Sequence, residues 1–287
     1  MLRLILALVA AHAAASGASS ERIAISVATG TGADGSGGMV VIDASGRRVR
    51  TLTKRRAGRE DIEPAWSPDG RRLAFARSTD RGRSFRVYVM NAGGSGVRRL
   101  TRGTFDYSPA WSPDGRWIAY RSNAKLRIVH PDGTGGHTVA SPKPTDVMYP
   151  QWAPGGRISY SYWATIRSDW PAACEQPGRH CGEVVSAKLD GSARRAVVRG
   201  RDAHWAPGGS AIVYTGSDGG VFTAPGSGGG GHRLGRGYRA EWSRDGSRIV
   251  YARMGDMPSQ DSIWVMNRDG GNAHRIFHGG SFPSWRP

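Results

Sequence analysis

Acidic, phenolic and guanidinium side chains recur in this sequence a few residues ahead of a repeated tryptophan. Carboxylate and hydroxyl oxygens gathered at one end of a fold could hold a cationic peptide terminus, a sugar or a cation such as Ca²⁺. We therefore predict a ligand-binding site there; the alternative is that the same side chains cap strands and hydrate a pore. The candidates are Asp61, Glu63, Asp106, Tyr107, Asp146, Tyr149, Arg201, Asp202, Tyr238 and Arg239.

Catalytic chemistry would need an acid, a base or a metal held at a preorganised centre. Only His204 stands directly before one of the repeated tryptophans, and we interpret it as a histidine packed beside Trp205. The G-x-S-x-G elbow of the α/β-hydrolases is not found in the sequence. We assign no catalytic residue and no metal ligand. We also predict no cofactor; the one alternative that we keep is Ca²⁺ bound in a central channel of the fold.

The tryptophan belongs to a repeat that must form the elements positioning these residues. Trp-Ser-Pro-Asp-Gly stands at 66–70 and 111–115, Trp-Ala-Pro-Gly-Gly at 152–156 and 205–209, and Trp-Ser-Arg-Asp-Gly at 242–246. Proline, aspartate and glycine reverse the chain, and an apolar run typical of a buried strand follows. The repeated tryptophans, which we expect to wedge between neighbouring sheets, are Trp66, Trp111, Trp152, Trp205, Trp242 and Trp285.

Each repeat contains a second hairpin, with a tight turn such as Asp-Gly at 190–191. Four strands in a repeat of roughly 40–50 residues predict an all-β, six-bladed β-propeller over residues 21–287. The first blade begins with its second strand, so we expect the C-terminal strand to complete it and close the ring. The predicted blades lie near 21–53 plus 281–287, 61–101, 106–141, 147–198, 201–235 and 238–277.

Two copies, Trp-Ser-Pro-Asp-Gly-Arg-Arg-Leu-Ala-Phe at 66–75 and Trp-Ser-Pro-Asp-Gly-Arg-Trp-Ile-Ala-Tyr at 111–120, resemble the WD40-like PD40 repeats of the TolB-like propellers. Val-Tyr-Val-Met-Asn at 87–91 and Ile-Trp-Val-Met-Asn at 263–267 are similar to the third-strand signature of that family. The resemblance covers residues 21–287 and implies a six-bladed propeller. In such propellers the candidate site residues fall at the channel face, which usually holds the binding site.

The first twenty residues are typical of a secretory signal peptide. Arg3 supplies the positive charge, an apolar stretch covers 4–15, and small residues at 13–18 offer cleavage sites. The stretch is shorter than the roughly 20 apolar residues that a bilayer span needs. We therefore predict a signal peptide at 1–20, no membrane span, and export to the periplasm, the cell envelope or the medium.

One loop in the fourth predicted blade is much longer than the others. Tryptophan and arginine are common anchors of interfaces, so Trp163, Arg167 and Trp170 are candidates for a partner contact. The alternative is that they pack the loop onto its own blade. Cys174 and Cys181 are the two cysteines of the chain, and an exported protein meets an oxidising compartment, so we predict a disulfide between them.

The formal net charge is +17, and arginine supplies most of the positive charge. Such a surface favours anionic polymers, although a composition rich in arginine without dense basic runs can also be a plain solvated surface. Nucleic acid is a poor partner for an exported protein. We predict an exported, monomeric, non-catalytic binding propeller that recognises a protein, peptide or envelope polymer at its channel face. The alternative is a lyase or hydrolase that acts on a carbohydrate through a metal or an acid–base site at the channel mouth.

Overall fold

Strands dominate the structure, a computed structural model that describes residues 21–28, 36–140, 146–163, 182–255 and 260–287. Within these ranges the chain forms six antiparallel sheets of four strands each. Blade 1 combines the last strand with the first three, and each following group of four strands forms one of blades 2 to 6. The prediction of an all-β, six-bladed propeller is confirmed.

The strands of the first half of the chain are β1 (Arg22–Ala28), β2 (Gly37–Asp43), β3 (Arg48–Thr53), β4 (Glu60–Trp66), β5 (Arg72–Ser78), β6 (Arg86–Asn91), β7 (Arg98–Arg99), β8 (Asp106–Trp111), β9 (Ile118–Ser122), β10 (Lys125–Val129), β11 (His137–Ala140) and β12 (Asp146–Ala153). Those of the second half are β13 (Arg157–Trp163), β14 (Gly182–Ala187), β15 (Arg195–Arg199), β16 (Arg201–Trp205), β17 (Ala211–Thr215), β18 (Gly220–Pro225), β19 (His232–Arg236), β20 (Tyr238–Trp242), β21 (Arg248–Arg253), β22 (Ser262–Asn267), β23 (His274–His278) and β24 (Gly280–Trp285). The inner strands β4, β8, β12, β16, β20 and β24 contact one another in turn around the ring.

Apolar clusters fill the junctions between blades. At the junction of blades 1 and 6, Ile23 and Ile25 pack against Val250 and Ile263. A corresponding cluster lies at each of the other five junctions. Strands such as β2 are buried along their whole length because both of their faces meet a neighbouring blade. Each blade therefore depends on both neighbours for the burial of its apolar side chains.

The repeated tryptophans pack against the preceding blade. The indole Nε1 of Trp152 donates to the Ala110 carbonyl at 3.1 Å, and that of Trp242 donates to the His204 carbonyl at 3.2 Å. In both cases the acceptor lies on the inner strand of the preceding blade. The indoles of Trp152 and Trp242 thus each join two blades by apolar contact and by a hydrogen bond.

The C-terminal strand closes the ring. Strand β24 pairs antiparallel with β1, so that Trp285 lies opposite Ile23 and Gly280 lies opposite Val27. The Arg286 backbone N–H then donates to the Arg22 carbonyl at 2.7 Å. This pairing confirms the predicted closure, and it leaves the inner edge of β1 covered.

The turn after the tryptophan differs between blades. In blade 2, Ser67 Oγ donates to Asp69 Oδ1 at 2.6 Å, and blades 3 and 6 repeat this bond through Asp114 and Asp245. Blades 4 and 5 have alanine and glycine in place of that serine and aspartate. In blade 4 both glycines at 155–156 have positive φ, 72° and 68°, so the turn there takes a different path.

Candidate functional site: the plugged channel

Every inner strand bulges three residues before its tryptophan. In β4 the pairing register shifts between Ile62 and Ala65, and Glu63 takes a φ of 55°. The same shift occurs in the other five inner strands. A positive φ is costly for a residue with a Cβ, and a bulge re-aims the side chain. All six bulged residues line the cavity at the centre of the ring; this bulge ring comprises Glu63, Ser108, Tyr149, Asp202, Arg239 and Phe282.

A second ring lies two residues further along each inner strand, directly before the tryptophan. Residues two apart on a strand share a face, and these six line the same cavity, which has a volume of about 170 Å³. Alanine occupies the position in blades 2 and 3, whereas the other four blades place a polar side chain there. The second ring comprises Ala65, Ala110, Gln151, His204, Glu241 and Ser284.

Arg239 of blade 6 extends across the channel, and we call Arg239 with its partners Glu63, Tyr149, Asp202 and Phe282 the plug. Its guanidinium carbon lies 4.1 Å from the centroid of the Tyr149 ring and 4.7 Å from that of Phe282, so aromatic rings of blades 4 and 1 flank it. Its Nη2 donates to Glu63 Oε1 at 2.8 Å, and its Nε lies 3.7 Å from Asp202 Oδ2. One side chain thus ties together four other blades, and only 18% of its surface remains exposed.

The charges of this plug are fixed by one another. Burial lowers the pKa of Arg239, but the negative charges of Asp202 and Glu63 outweigh burial and raise it above its ordinary value. Burial raises the pKa of Asp202, but the charge of Arg239 and the hydrogen bond with His204 bring it below its ordinary value. Burial also raises the pKa of Tyr149, which keeps its phenol neutral. Arg239 and Asp202 are therefore both charged at neutral pH.

A histidine and a glutamate of the second ring lie beneath the plug. His204 Nε2 lies 3.5 Å from Asp202 Oδ1 and 3.1 Å from Gln151 Nε2. Burial lowers the pKa of His204, but the hydrogen bond and charge of Asp202 raise it overall. Burial raises the pKa of Glu241 to about 7, although His204 works in the opposite direction. The pKa of Glu241 therefore lies close to neutral pH.

The position of His204 corrects our interpretation of it as a histidine packed beside Trp205. Successive side chains of a strand point to opposite faces. His204 accordingly lines the channel, whereas Trp205 packs into the junction of blades 4 and 5 and donates its Nε1–H to the Gly226 carbonyl at 3.0 Å. The candidate residues also omitted Gln151 and Glu241, which the alternation of the inner strands could have indicated.

Two of the predicted carboxylates lie away from the channel cavity. The Asp61 side chain is fully buried, and Arg77 donates to it through Nε at 2.5 Å and Nη2 at 2.9 Å. Asp106 is also buried and accepts the Gly103 backbone N–H at 3.0 Å. Both carboxylates hold the start of an inner strand in place. Their contact with a ligand stays a prediction.

Two of the predicted tyrosines belong to the starts of inner strands. The Tyr107 ring packs against Phe85 with a centroid separation of 4.8 Å, and the Arg121 guanidinium lies 5.5 Å from the same ring. Tyr238 Oη donates to Asp261 Oδ2 at 2.7 Å. Burial and this bond to a carboxylate raise the pKa of Tyr238 well above its usual range.

An open groove of about 960 Å³ lies at the channel mouth over blades 5 and 6. The mouth is basic on this side, since arginines outnumber aspartates among the lining residues. Tyr149, Arg239 and Phe282 of the bulge ring lie within the same groove. We call it the arginine groove; its charged lining residues are Arg201, Arg233, Arg236, Arg239, Arg253, Asp202 and Asp218.

Several predicted residues fall outside what the structure describes. Asp146 begins β12 and Trp163 ends β13, but the described part does not extend to their side chains. The remaining residues outside the described ranges are Arg167, Trp170, Cys174, Cys181 and the segment 1–20. The partner loop, the disulfide and the signal peptide therefore stay predictions.

Within the described ranges, no group of three or more histidine, cysteine, aspartate or glutamate side chains is arranged to hold a metal ion. The possible Ca²⁺ in the central channel stays a prediction. Over the same part of the chain, no helix is both long and apolar enough to cross a membrane.

Comparisons with known proteins agree with this architecture. A family model described as the TolB β-propeller domain (PD40) matches residues 14–169, which is more than half of the chain. A search of curated proteins finds no match. TolB from Acinetobacter baumannii superposes with a TM-score of 0.71 at 16% identity, over 94% of this chain and 68% of that one.

Two further solved structures share the fold. A chain of a nidogen/laminin complex has a TM-score of 0.68 at 10% identity, over 93% of this chain and 98% of that one. An oligogalacturonate lyase in complex with manganese has a TM-score of 0.53 at 16% identity, over 88% of this chain and 73% of the lyase chain. Similarities this low in identity establish the fold alone. The repeats, the closed six-bladed ring and the family match together show that this chain belongs to the TolB β-propeller (PD40) family.

Proposed function

We propose that this protein is an exported, non-catalytic binding propeller that recognises a protein, peptide or envelope polymer at the mouth of its channel. The proposal depends mainly on Arg239, whose guanidinium is held between Tyr149 and Phe282 and by two carboxylates beneath an open groove. A segment that enters the mouth meets a floor that is already ordered. A preorganised floor lowers the entropic cost of binding.

Two other observations support the proposal. One of the similar solved structures is a complex of two proteins, nidogen and laminin, so a propeller of this shape occurs in a protein assembly. The charged and apolar pattern of residues 1–20 supports export. Fractionation of the host followed by N-terminal sequencing checks export: we expect the protein outside the cytoplasm without residues 1–20, and a protein confined to the cytoplasm that starts at Met1 contradicts it.

Site-specific photo-crosslinking tests where the partner binds. Met254 borders the arginine groove with 81% of its surface exposed, whereas Val97 lies at the outer edge of blade 2 and is 39% exposed. We replace each in turn with p-benzoylphenylalanine and irradiate the protein in its own host. We expect a discrete adduct from position 254 and none from position 97. The same adducts at both positions, or none at position 254, contradict recognition at the mouth.

A second candidate function is supported by the groups beneath the plug. Asp202 and His204 lie 3.5 Å apart, Glu241 has a pKa of about 7, and one similar fold is an oligogalacturonate lyase with manganese. Such a pair could serve general acid–base chemistry. The test is incubation with oligogalacturonate, with and without Mn²⁺, followed by detection of unsaturated sugar products. Products that disappear in His204→Ala favour the enzyme; unchanged substrate favours the binding propeller.

A further inference from the structure

The charges of the arginine groove do not cancel within it. Arg239 is committed to the plug, and Arg233 pairs with Asp218 at 2.9 Å. The other three arginines of the groove have no carboxylate within ion-pair distance among the described residues. They are Arg201, Arg236 and Arg253. The groove therefore presents an excess of positive charge on the face where we place the binding site.

One of these arginines is held in a fixed position. The Arg253 guanidinium lies 3.7 Å from the centroid of the Trp264 ring. Its Nε donates to the Arg236 carbonyl at 3.1 Å, and its Nη2 donates to Tyr251 Oη at 3.1 Å. A guanidinium has five N–H donors, so Arg253 retains donors for a carboxylate of a ligand. Because its own position is already fixed, little side-chain entropy is lost on binding.

The groove is also apolar in part. Met254 follows Arg253 and exposes 81% of its surface, and the aromatic rings of Tyr149 and Phe282 lie among the lining residues. A flexible thioether adapts to side chains of several shapes. A ligand that matches this surface supplies negative charge for the arginines and an apolar group for Met254. An acidic polysaccharide or a polyphosphate supplies the charge but has no apolar side chain.

We infer that the arginine groove binds an extended peptide segment in which aspartate or glutamate stands beside apolar residues. The carboxylates pair with Arg201, Arg236 and Arg253, since the guanidinium fork matches a carboxylate in geometry and charge. An apolar side chain of the segment covers Met254. This inference rests on the proposed function, because it names the class of partner for the same mouth.

Fluorescence anisotropy with defined probes tests the inference. The probe is a fluorescein-labelled peptide of alternating glutamate and leucine; its glutamine–leucine counterpart and an oligogalacturonate serve for comparison. We expect the glutamate peptide alone to bind firmly. The double substitution Arg201→Glu and Arg236→Glu should weaken the affinity for the glutamate peptide by roughly tenfold for each arginine lost. The milder pair Arg201→Gln and Arg236→Gln guards against an effect of misfolding, because it removes the donors without adding repulsion.

The control pair is Arg71→Glu and Arg116→Glu, which changes the net charge by the same amount. Both arginines are exposed and lie in the turns of blades 2 and 3. An equal loss in this control means that net charge alone attracts the peptide and overturns the inference. Equal binding of oligogalacturonate overturns it in favour of a carbohydrate. If the adduct at position 254 persists unchanged in the Arg201/Arg236 variant, the mouth is the binding site but the arginines do not recognise the partner. If no adduct forms at that position, the proposed function itself fails.

Discussion

Blades 2 and 3 keep the full Trp-Ser-Pro-Asp-Gly turn and place alanine directly before the tryptophan. Blades 4 and 5 have lost the serine and aspartate of that turn, and they place Gln151 and His204 at the same position. The backbone bulge of the inner strand is nevertheless the same on both sides of the channel. The shared part of the repeat therefore builds the ring, whereas the part that varies between copies supplies the chemistry of the channel.

We call blades 2 and 3 the regular side and blades 4 and 5 the diverged side, and the two sides also differ in the way they are stabilised. The indoles of Trp66 and Trp111 on the regular side are buried, at 7% and 8% exposure, while Trp152 and Trp205 are only half-buried. On the diverged side, Asp202 and His204 of blade 5 form a polar contact within the channel, and Asp202 also faces the plug arginine of blade 6. We expect the regular side to depend on apolar burial and the diverged side to depend on charge, and four measurements test this contrast.

The largest effect should come from the regular side. Trp111→Ala removes a buried indole from the junction of blades 2 and 3, and such truncations cost about 3–5 kcal/mol. Trp205→Ala should cost clearly less, because that indole is already partly exposed. Urea unfolding of both variants measures the difference. Equal losses would mean that the two sides do not differ in apolar burial.

Arg239→Met in blade 6, whose side chain faces Asp202 of the diverged side, should be nearly as costly. The substitution leaves the carboxylates of Glu63 and Asp202 buried without their cation, and breaking a buried pair in this way costs about 3–5 kcal/mol at neutral pH. Acidification should recover part of the loss, because the unpaired carboxylates can then take up protons. Adding Glu63→Gln and Asp202→Asn should recover it at pH 7. A variant as stable as the parent at pH 7 contradicts the plug.

Glu241 gives a smaller effect with a definite sign. Its folded pKa of about 7 lies above the ordinary value of 4.5, so the folded state binds more protons than the unfolded state between these values. Stability therefore falls as pH rises through that window, by at most about 3 kcal/mol. Glu241→Gln should flatten this slope without lowering stability near pH 5. Thermal unfolding of both proteins from about pH 4 to pH 8, which covers the whole window, measures this slope.

The smallest effect belongs to the turns. Asp114→Ala removes an acceptor for Ser112 Oγ and the Arg116 backbone N–H, with an expected cost of about 1 kcal/mol. These bonds hold the pKa of Asp114 below its usual value, so the contribution is present at neutral pH and is lost on acidification through the lowered pKa. The urea midpoints of variant and parent should therefore converge at low pH. A constant gap across pH would show that the carboxylate charge is not involved.

The fold could be predicted because its signals are local. A tryptophan followed by a turn of proline, aspartate and glycine specifies both an indole wedge and a chain reversal within seven residues at 64–70. The order of strands in the ring then follows from repetition. The bulge was not predicted, although its position three residues before Trp66 recurs before every repeated tryptophan. A single sequence shows this spacing but gives no sign of the positive φ that accompanies it.

The site was less predictable, because its contacts join distant parts of the chain. Arg239 and Glu63 were both among the candidate residues, but their hydrogen bond spans 176 positions of the sequence. Asp61 was expected at an acidic mouth, and its actual neighbour Arg77 lies on the adjacent strand and neutralises it. Which arginine meets which carboxylate is decided by packing between blades, and the repeat pattern contains no information on it.

The strand pair that closes the ring is also the point at which we expect the ring to open under tension. Strands β1 and β24 run antiparallel with Ile23 beside Trp285, so the chain leaves the ring on both sides from the same end of the pair. Tension applied between Arg22 and Arg286 would load the backbone bonds of this pair one after another, in the manner of a zipper, instead of all at once. Pulling experiments on single molecules should find blade 1 opening first and at low force. The other five blades, each a continuous run of hairpins, would then lose one neighbour and peel away in sequence.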